Sequence, residues 1–168
     1  MKTLQLLFKT NNDAIPLFLR LLLAAVMFPH GAQKVFGWFG GYGFTGTMNF
    51  FTQTMHIPAP LAFLAIAAEF AGPIALVLGL TSRVAAFGIG TNMVVAALTS
   101  HVANGFFMNW FGNQKGEGFE YHLLAGAIAL TLVVRGGGKW ALDSVIYHKL
   151  AGAQQDAVCC GKPACCAS

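Results

Sequence analysis

From Pro60 to Leu80 the chain is apolar except for one charged residue, Glu69. A run of this length and character is what an α-helix needs to cross hydrocarbon, roughly 20 residues. Within lipid only helices and closed barrels satisfy their backbone polar groups. Three more runs share the pattern. Ile15–Gly37 is interrupted by Arg20, His30, Gln33 and Lys34, Val84–Ala103 is uncharged until His101, and Glu120–Val134 is the shortest. The chain is 56% hydrophobic and 10% charged, against roughly a quarter charged in soluble domains, so it lacks the polar coat of a water-soluble fold. The expectation is an all-α integral membrane four-helix bundle over residues 1–148, with spans at about 15–37, 60–80, 84–103 and 120–135. Residues 149–168 are expected to form a flexible, cysteine-rich cytoplasmic tail.

Lysine and arginine orient the spans. Lys2, Lys9, Arg83, Arg135, Lys139, Lys149 and Lys162 fall on one side, while Lys115, with Lys34 at a helix end, falls on the other. Cytoplasmic connections carry the positive excess, so both termini are expected in the cytoplasm and the protein is expected to be multi-pass in the cytoplasmic membrane. The net charge of +4 is then a topology signal and makes no case for nucleic acid. The two outer connections, 38–59 and 104–119, are rich in Phe, Trp, Tyr and Gly, as suits the headgroup layer. Met48, Phe51 and Met55 repeat at helical spacing in the first of them, which predicts a short interfacial helix. Leu21–Phe28 resembles a signal-peptide core, but Asp13 and Arg20 precede it and no good cleavage site follows. The first span is expected to be retained.

The ionisable residues inside the spans are few. Glu69 lies nine residues beyond Pro60, about 13 Å down its helix. A carboxylate at that depth must be paired, protonated or turned to a cavity. On the first helix Arg20, Met27 and Lys34 recur every seven residues and His30 lies beside Lys34, so the polar side chains share a face. Lys34 and Arg20 have a bland explanation as well, snorkelling to the interface, and a lone intramembrane histidine is often only a structural hydrogen-bonding group. Antiparallel packing gathers His30, Lys34 and His101 toward the outer end, with Glu120 and His122 at its mouth. The last two are two residues apart and point to nearly opposite faces; the sequence favours Glu120 as the one that looks inward. The expected site is an outward-opening polar pocket, with Glu69, His30 and Lys34 as its reactive groups and Arg20, His101 and Glu120 as ligand-binding groups. Ala68, Gly72, Ala75 and Gly79 form a small-residue stripe suited to close helix packing, and Gly72-Pro73 could open the helix beside Glu69.

These residues resemble the DoxX family of small four-helix membrane proteins. The resemblance rests on Arg20, the run FPHGAQKVFGWFGGYGFTGT, Pro58, Glu69 with Gly72, GLTSR ending at Arg83, His101 with GFF at 105–107, GFEYHLL around Glu120, and Leu142-Asp143. The H-G-x-x-K-x-F-G-x-F-G-G run is the specific part. Where the family commonly has paired glycines after the acidic residue, this chain has Gly72-Pro73. The resemblance implies a four-helix bundle in the cytoplasmic membrane. Some relatives are subunits of a thiosulfate:quinone oxidoreductase, and others are linked to membrane redox complexes that handle thiols or oxidative stress.

The implied role is a subunit of a membrane redox system, quinone- or sulfur-linked. A quinone head group would take hydrogen bonds from His30, His101 or Lys34, and a small sulfur oxyanion would be held through Lys34 and Arg20. The expected partners are the lipid bilayer, other redox subunits and further copies of the chain. The alternatives are a scaffold whose polar cluster pins the helices and, with no inverted repeat to support it, a small-molecule transporter. No dinucleotide fingerprint, haem-attachment motif or Ser-His-Asp set is present. All four cysteines, Cys159, Cys160, Cys165 and Cys166, lie in the tail. Four thiolates around a Gly-Lys-Pro-Ala turn could wrap a soft metal such as Cu(I) or Zn, although their spacing departs from ordinary zinc pairs; a disordered tail of lipidated or reactive thiols is the other reading.

Overall fold

The computed structural model describes residues 2–160, with side chains from 5 to 152. Among the described residues the chain is helical and has no strand. Helix α1 (Lys2–Phe8) is short. Helix α2 (Ala14–Phe36) starts under Asp13, whose carboxylate accepts the Ile15 N–H at 3.0 Å, and ends at Gly37 in the left-handed region (φ 74°). Such a stop needs glycine, because a Cβ there would crowd the carbonyl. A short turn and α3 (Gly43–Asn49) follow, running into one π-turn, Phe50–Thr54; a short helix was expected here from the spacing of Met48, Phe51 and Met55. Helix α4 (Ala59–Leu78) descends, and α5 (Ser82–Ala96) returns and continues through a π-turn, Ala97–His101, and a 3-10 turn to Asn104. Helix α6 (Glu120–Arg135) and α7 (Leu142–Cys160) complete the described residues.

Three segments are long and apolar enough to cross a membrane: Ala14–Phe36, Ala59–Leu78 and Ser82–Asn104. At 16 residues, α6 is about 24 Å long, short of a full hydrocarbon thickness unaided. It packs with the others nonetheless. Helix α2 lies against α4 and α6, and α5 against α4 and α6, so the four close into a ring. Leu23, Met27, Leu76, Ile89, Met93 and Leu132 fill its centre. Phe18, Leu64, Phe87, Val94, Leu98, Leu124 and Leu130 point outward and are exposed, as befits walls whose solvent is lipid.

A polar node locks the end of the ring where α4 meets α5. Asp143, 1% exposed, accepts from the N–H groups of Thr81 (2.6 Å) and Ser82 (2.8 Å), and so caps α5 from a different helix. Arg20, 2% exposed, donates to four carbonyls: Leu76 (2.6 Å) and Val77 (2.9 Å) in the last turn of α4, and Lys139 and Trp140 (3.2 Å each) before α7. It thereby adds donors for carbonyls in the last turn of α4, where intrahelical donors run out; the Leu76 carbonyl also accepts the Gly79 N–H at 3.1 Å. We predict that Asp143→Ala lowers stability by about 1–2 kcal/mol, the usual effect of losing a cap, while the Lys34–Glu69 contact stays intact. Melting in mild detergent measures the loss; an unchanged melting temperature would overturn it.

The boundary expected near residue 148 falls inside α7, whose backbone is helical to Cys160. The side chains of Cys159 and Cys160, and the whole of Cys165 and Cys166, lie outside the described residues, and with them the metal expected on the tail.

Candidate functional site

The half of the ring away from the Arg20–Asp143 node is organised by one close crossing. At Gly31, a Cβ would overlap the Glu69 carbonyl and come within 2.7 Å of the Phe70 Cα. Only glycine lets α2 and α4 touch backbone to backbone there. Pro73 stands four residues beyond Glu69 in α4 and has no N–H to give the Glu69 carbonyl. The acceptor that proline leaves free is the one that faces Gly31. The helix is not opened at Gly72-Pro73: it runs unbroken to Leu78, and Gly72 serves its contact with Ile89 of α5.

One turn beyond Gly31, Lys34 reaches across the crossing and its Nζ donates to the Glu69 carboxylate. The side chains are 26% and 10% exposed respectively, so the carboxylate is nearly enclosed and the ammonium is its lid. Residues 37–43 then fold back over α2. Gly41 packs on the Gln33 backbone so tightly that a Cβ would overlap it, and Thr47 Oγ1 donates to the Lys34 carbonyl at 3.4 Å. Between this loop and α2 lies a cavity of about 260 Å³ lined by Gln33, Lys34, Tyr42, Thr47, Phe50 and Phe51. Lys34 is its one charged wall, and three aromatic rings supply much of the remainder.

A file of rings crosses the same end of the bundle. His30 lies 6.1 Å from Tyr121, Tyr121 lies 5.5 Å from His122, and His122 lies 4.1 Å from His101 with the rings tilted by 39°, centroid to centroid. Tyr121 donates to Met27 Sδ (3.2 Å), and His101 Nδ1 is bonded to the Glu117 carbonyl (2.8 Å). His122 Nδ1 is buried without a partner.

The structure therefore brings Lys34 and Glu69 into contact, with His30 one turn away, and joins His101 to His30 through Tyr121 and His122. It does not bring Arg20 to them. Fourteen residues of helix, about 21 Å, separate Arg20 from Lys34, and the guanidinium is already held by four carbonyls; sharing a helical face put the two in register but at opposite ends. Glu120 is also placed differently from expectation. Its carboxylate turns to the 105–119 loop and accepts the Met108 N–H at 3.4 Å, whereas His122 is the residue that turns to the rings. The 105–119 loop decides this, because it is pinned over α6 by Glu120 N–H to Phe106 O (3.0 Å). Among the described residues no three His, Cys, Asp or Glu side chains converge as a metal centre requires.

Gly31 and Tyr121 were not singled out in the sequence as site-forming, and His122 was weighed there but passed over for Glu120. Gly31 had a signal, a glycine inside an apolar helix immediately before the lysine turn.

The run from Ile15 to Val102 that builds this crossing matches the DoxX family model, over residues 15–102. The chain belongs to the DoxX family. A protein of Haemophilus influenzae described as uncharacterized is 32% identical over 139 residues, covering 79% of this chain and 90% of the relative. No solved structure matches the chain. As a DoxX protein with three long apolar helices, it is a multi-pass membrane protein. Its His30-Gly31-x-x-Lys34 motif thus has a physical content: a glycine for the crossing and a lysine for the carboxylate behind it.

Proposed function

We propose that this DoxX protein is a subunit of a quinone-linked redox system of the cytoplasmic membrane and that the cavity over Lys34 receives the quinone head group. The observation that carries the reading is an aromatic-lined cavity with Lys34 in its wall, the same lysine whose ammonium pairs with Glu69 behind it. The pair sums to no net charge, which disfavours a sulfur oxyanion and suits a neutral ring. Lys34 would donate to a quinone carbonyl, while Tyr42, Phe50 and Phe51 offer faces and edges for an aromatic head. Reduction adds two electrons and two protons. The electrons would come from a partner subunit; one proton would pass from Lys34, itself reprotonated by way of Glu69, and the second would come from water entering the open cavity. The family resemblance supports the redox setting, and the distribution of lysine and arginine supports cytoplasmic termini, with α6 as the fourth and thinnest span.

A scaffold role is the second reading, favoured by one observation: Lys34 and Glu69 already satisfy each other across the tightest helix contact. Glu69→Gln separates the two. It keeps size and hydrogen bonding and removes the titratable proton. The expected result is a folded protein whose stabilisation by a short-tailed benzoquinone falls at least tenfold in apparent affinity. Wild-type quinone response in the variant would leave the scaffold reading standing.

A further inference from the structure

The end of the bundle that carries the Arg20–Asp143 node also collects four cations around one short linker, residues 9–13. Arg83 donates to the Lys9 carbonyl through Nε (3.3 Å) and Nη2 (3.0 Å). Gly138 N–H donates to Thr10 Oγ1 (2.6 Å) and Lys139 N–H to the Asp13 carbonyl (2.9 Å). Arg135 lies 3.7 Å from the Asp13 carboxylate. Among the described residues Asp13 is the one carboxylate paired with any of Lys9, Arg83, Arg135 and Lys139. Arg83 directs its donors to the carbonyls of Lys9 and Val133, which orient a guanidinium without neutralising it. Asp143 is buried against the Thr81 and Ser82 N–H groups. The patch is positive.

Two further features fit this patch to a lipid headgroup. The first is its level. Helix α2 starts at Ala14, α5 starts at Ser82 and α6 ends at Arg135, so the cations stand where three apolar helices end. Each arginine has an exposed valine beside it in sequence, Val84 and Val134, and Ile15 and Phe18 are exposed on α2. Charge thus gives way to apolar wall at once. The second feature is Trp140. Its backbone is in the left-handed region (φ 57°), which is unfavourable for any residue with a Cβ and which glycine would take freely. Arg20 holds it there by donating to its carbonyl and to that of Lys139, at 3.2 Å each. The indole stands exposed as a result, with Lys139 Nζ 5.1 Å from its ring centroid. Tryptophan favours the headgroup level, and backbone strain that the surroundings over-determine clusters at binding sites.

We infer that this edge of the bundle binds an anionic phospholipid, its phosphate held by Lys9, Arg135 and Lys139 and its glycerol and acyl carbonyls lying against Trp140. A water-phase anion would meet the charge and have no use for the valines and the indole; a phospholipid uses both. A zwitterionic headgroup would bring a cation of its own into a patch already positive. The attraction of each lysine or arginine for an anionic membrane surface is screened by salt. The Lys34 cavity is at the other end of the bundle, and the inference stands whether or not that cavity takes a quinone.

The test uses the full-length protein in phosphatidylcholine nanodiscs with phosphatidylglycerol as the minor lipid. Trp38→Phe and Trp110→Phe leave Trp140 as the one tryptophan, and one lipid at a time carries brominated acyl chains. Brominated phosphatidylglycerol is expected to quench Trp140 roughly fivefold beyond its share of the bilayer. Lys9→Gln with Lys139→Gln should remove that excess, since neither side chain makes a hydrogen bond or ion pair among the described residues. Lys115→Gln, in the loop at the other end, should leave it unchanged. Should the tryptophan replacements not fold, native mass spectrometry of the otherwise unaltered chain counts retained phosphatidylglycerol, which the lysine pair should lower severalfold. Trp140→Gly should lower it too while melting no earlier than the wild type, because its backbone suits glycine. Quenching or retention in proportion to the amounts of the two lipids, or an excess that the lysine pair leaves in place, would mean bulk lipid contact only and would overturn the inference. So would loss of the excess to soluble glycerol 3-phosphate at constant ionic strength, which would assign the cations to a free phosphate compound.

Discussion

Gly31→Leu is expected to prevent α2 and α4 from closing. At this crossing the obstacle is backbone, the Glu69 carbonyl and the Phe70 Cα, and no flexible side chain is there to swing aside. Overpacking a core costs typically 1–3 kcal/mol and occasionally more. Here the helices would have to separate by more than an ångström at their closest point, so an effect at or above the top of that range, about 3–5 kcal/mol, follows. Separation also withdraws Glu69 from Lys34 and leaves a carboxylate in hydrocarbon, a penalty of its own. The expected phenotype is loss of the detergent melting transition, with Gly31→Ala intermediate. The control is Gly126→Ala, which meets open space and should stabilise α6 slightly through helix propensity, by up to about 1 kcal/mol. A Gly31→Leu protein that melts like the wild type would show that the α2–α4 crossing has room for a side chain and would overturn this expectation.

Why so much of the fold could be read beforehand, and less of the site, follows from what each depends on. Hydrocarbon length and backbone satisfaction dictate the spans almost residue by residue, so the runs at Ile15, Pro60 and Val84 name their own helices. Glu69 announced itself by its cost. Lys34 was legible as its partner because antiparallel helices bring one helix's end to the other's interior. Arg20 misled for a definite reason: helical periodicity reports which face a residue occupies and says nothing of its height along the bundle, and the guanidinium turned out to be completing the end of α4. Glu120 and His122 were a choice between opposite faces, and the 105–119 loop, a tertiary element with no periodic signature, made it. Gly31 and Gly126 show the same limit in two directions. Both are glycines inside membrane helices; one is required by a backbone 2.7 Å away and the other by nothing that touches it, a distinction visible only once the neighbouring helix is in place.

The pair itself can be tested by exchange. Lys34→Met leaves the Glu69 carboxylate, 10% exposed, without its cation. Removing one partner of a fully buried pair costs about 3–5 kcal/mol, and since Lys34 is 26% exposed and water can reach the vacated place, about 2 kcal/mol is the expected loss here. Glu69→Leu strands the ammonium less severely, because a lysine can carry its charge toward the interface. The double replacement Lys34→Met with Glu69→Leu removes both charges and should recover most of the stability, since an apolar pair of similar volume is often neutral or stabilising. The measurable quantity is the coupling energy of the cycle, expected at about 1–2 kcal/mol; a value near zero would mean that the two charges do not sense each other. The doubly apolar protein also separates pinning from chemistry. If the pair only fixes helices, the double variant should match the wild type in every quinone-binding and redox measurement, because its helices are held as well. If the cavity needs a donor and a proton, that variant should be stable and inert. We expect a stable, inert protein, because Lys34 is the one charged residue lining the cavity and the carboxylate that it pairs with is Glu69.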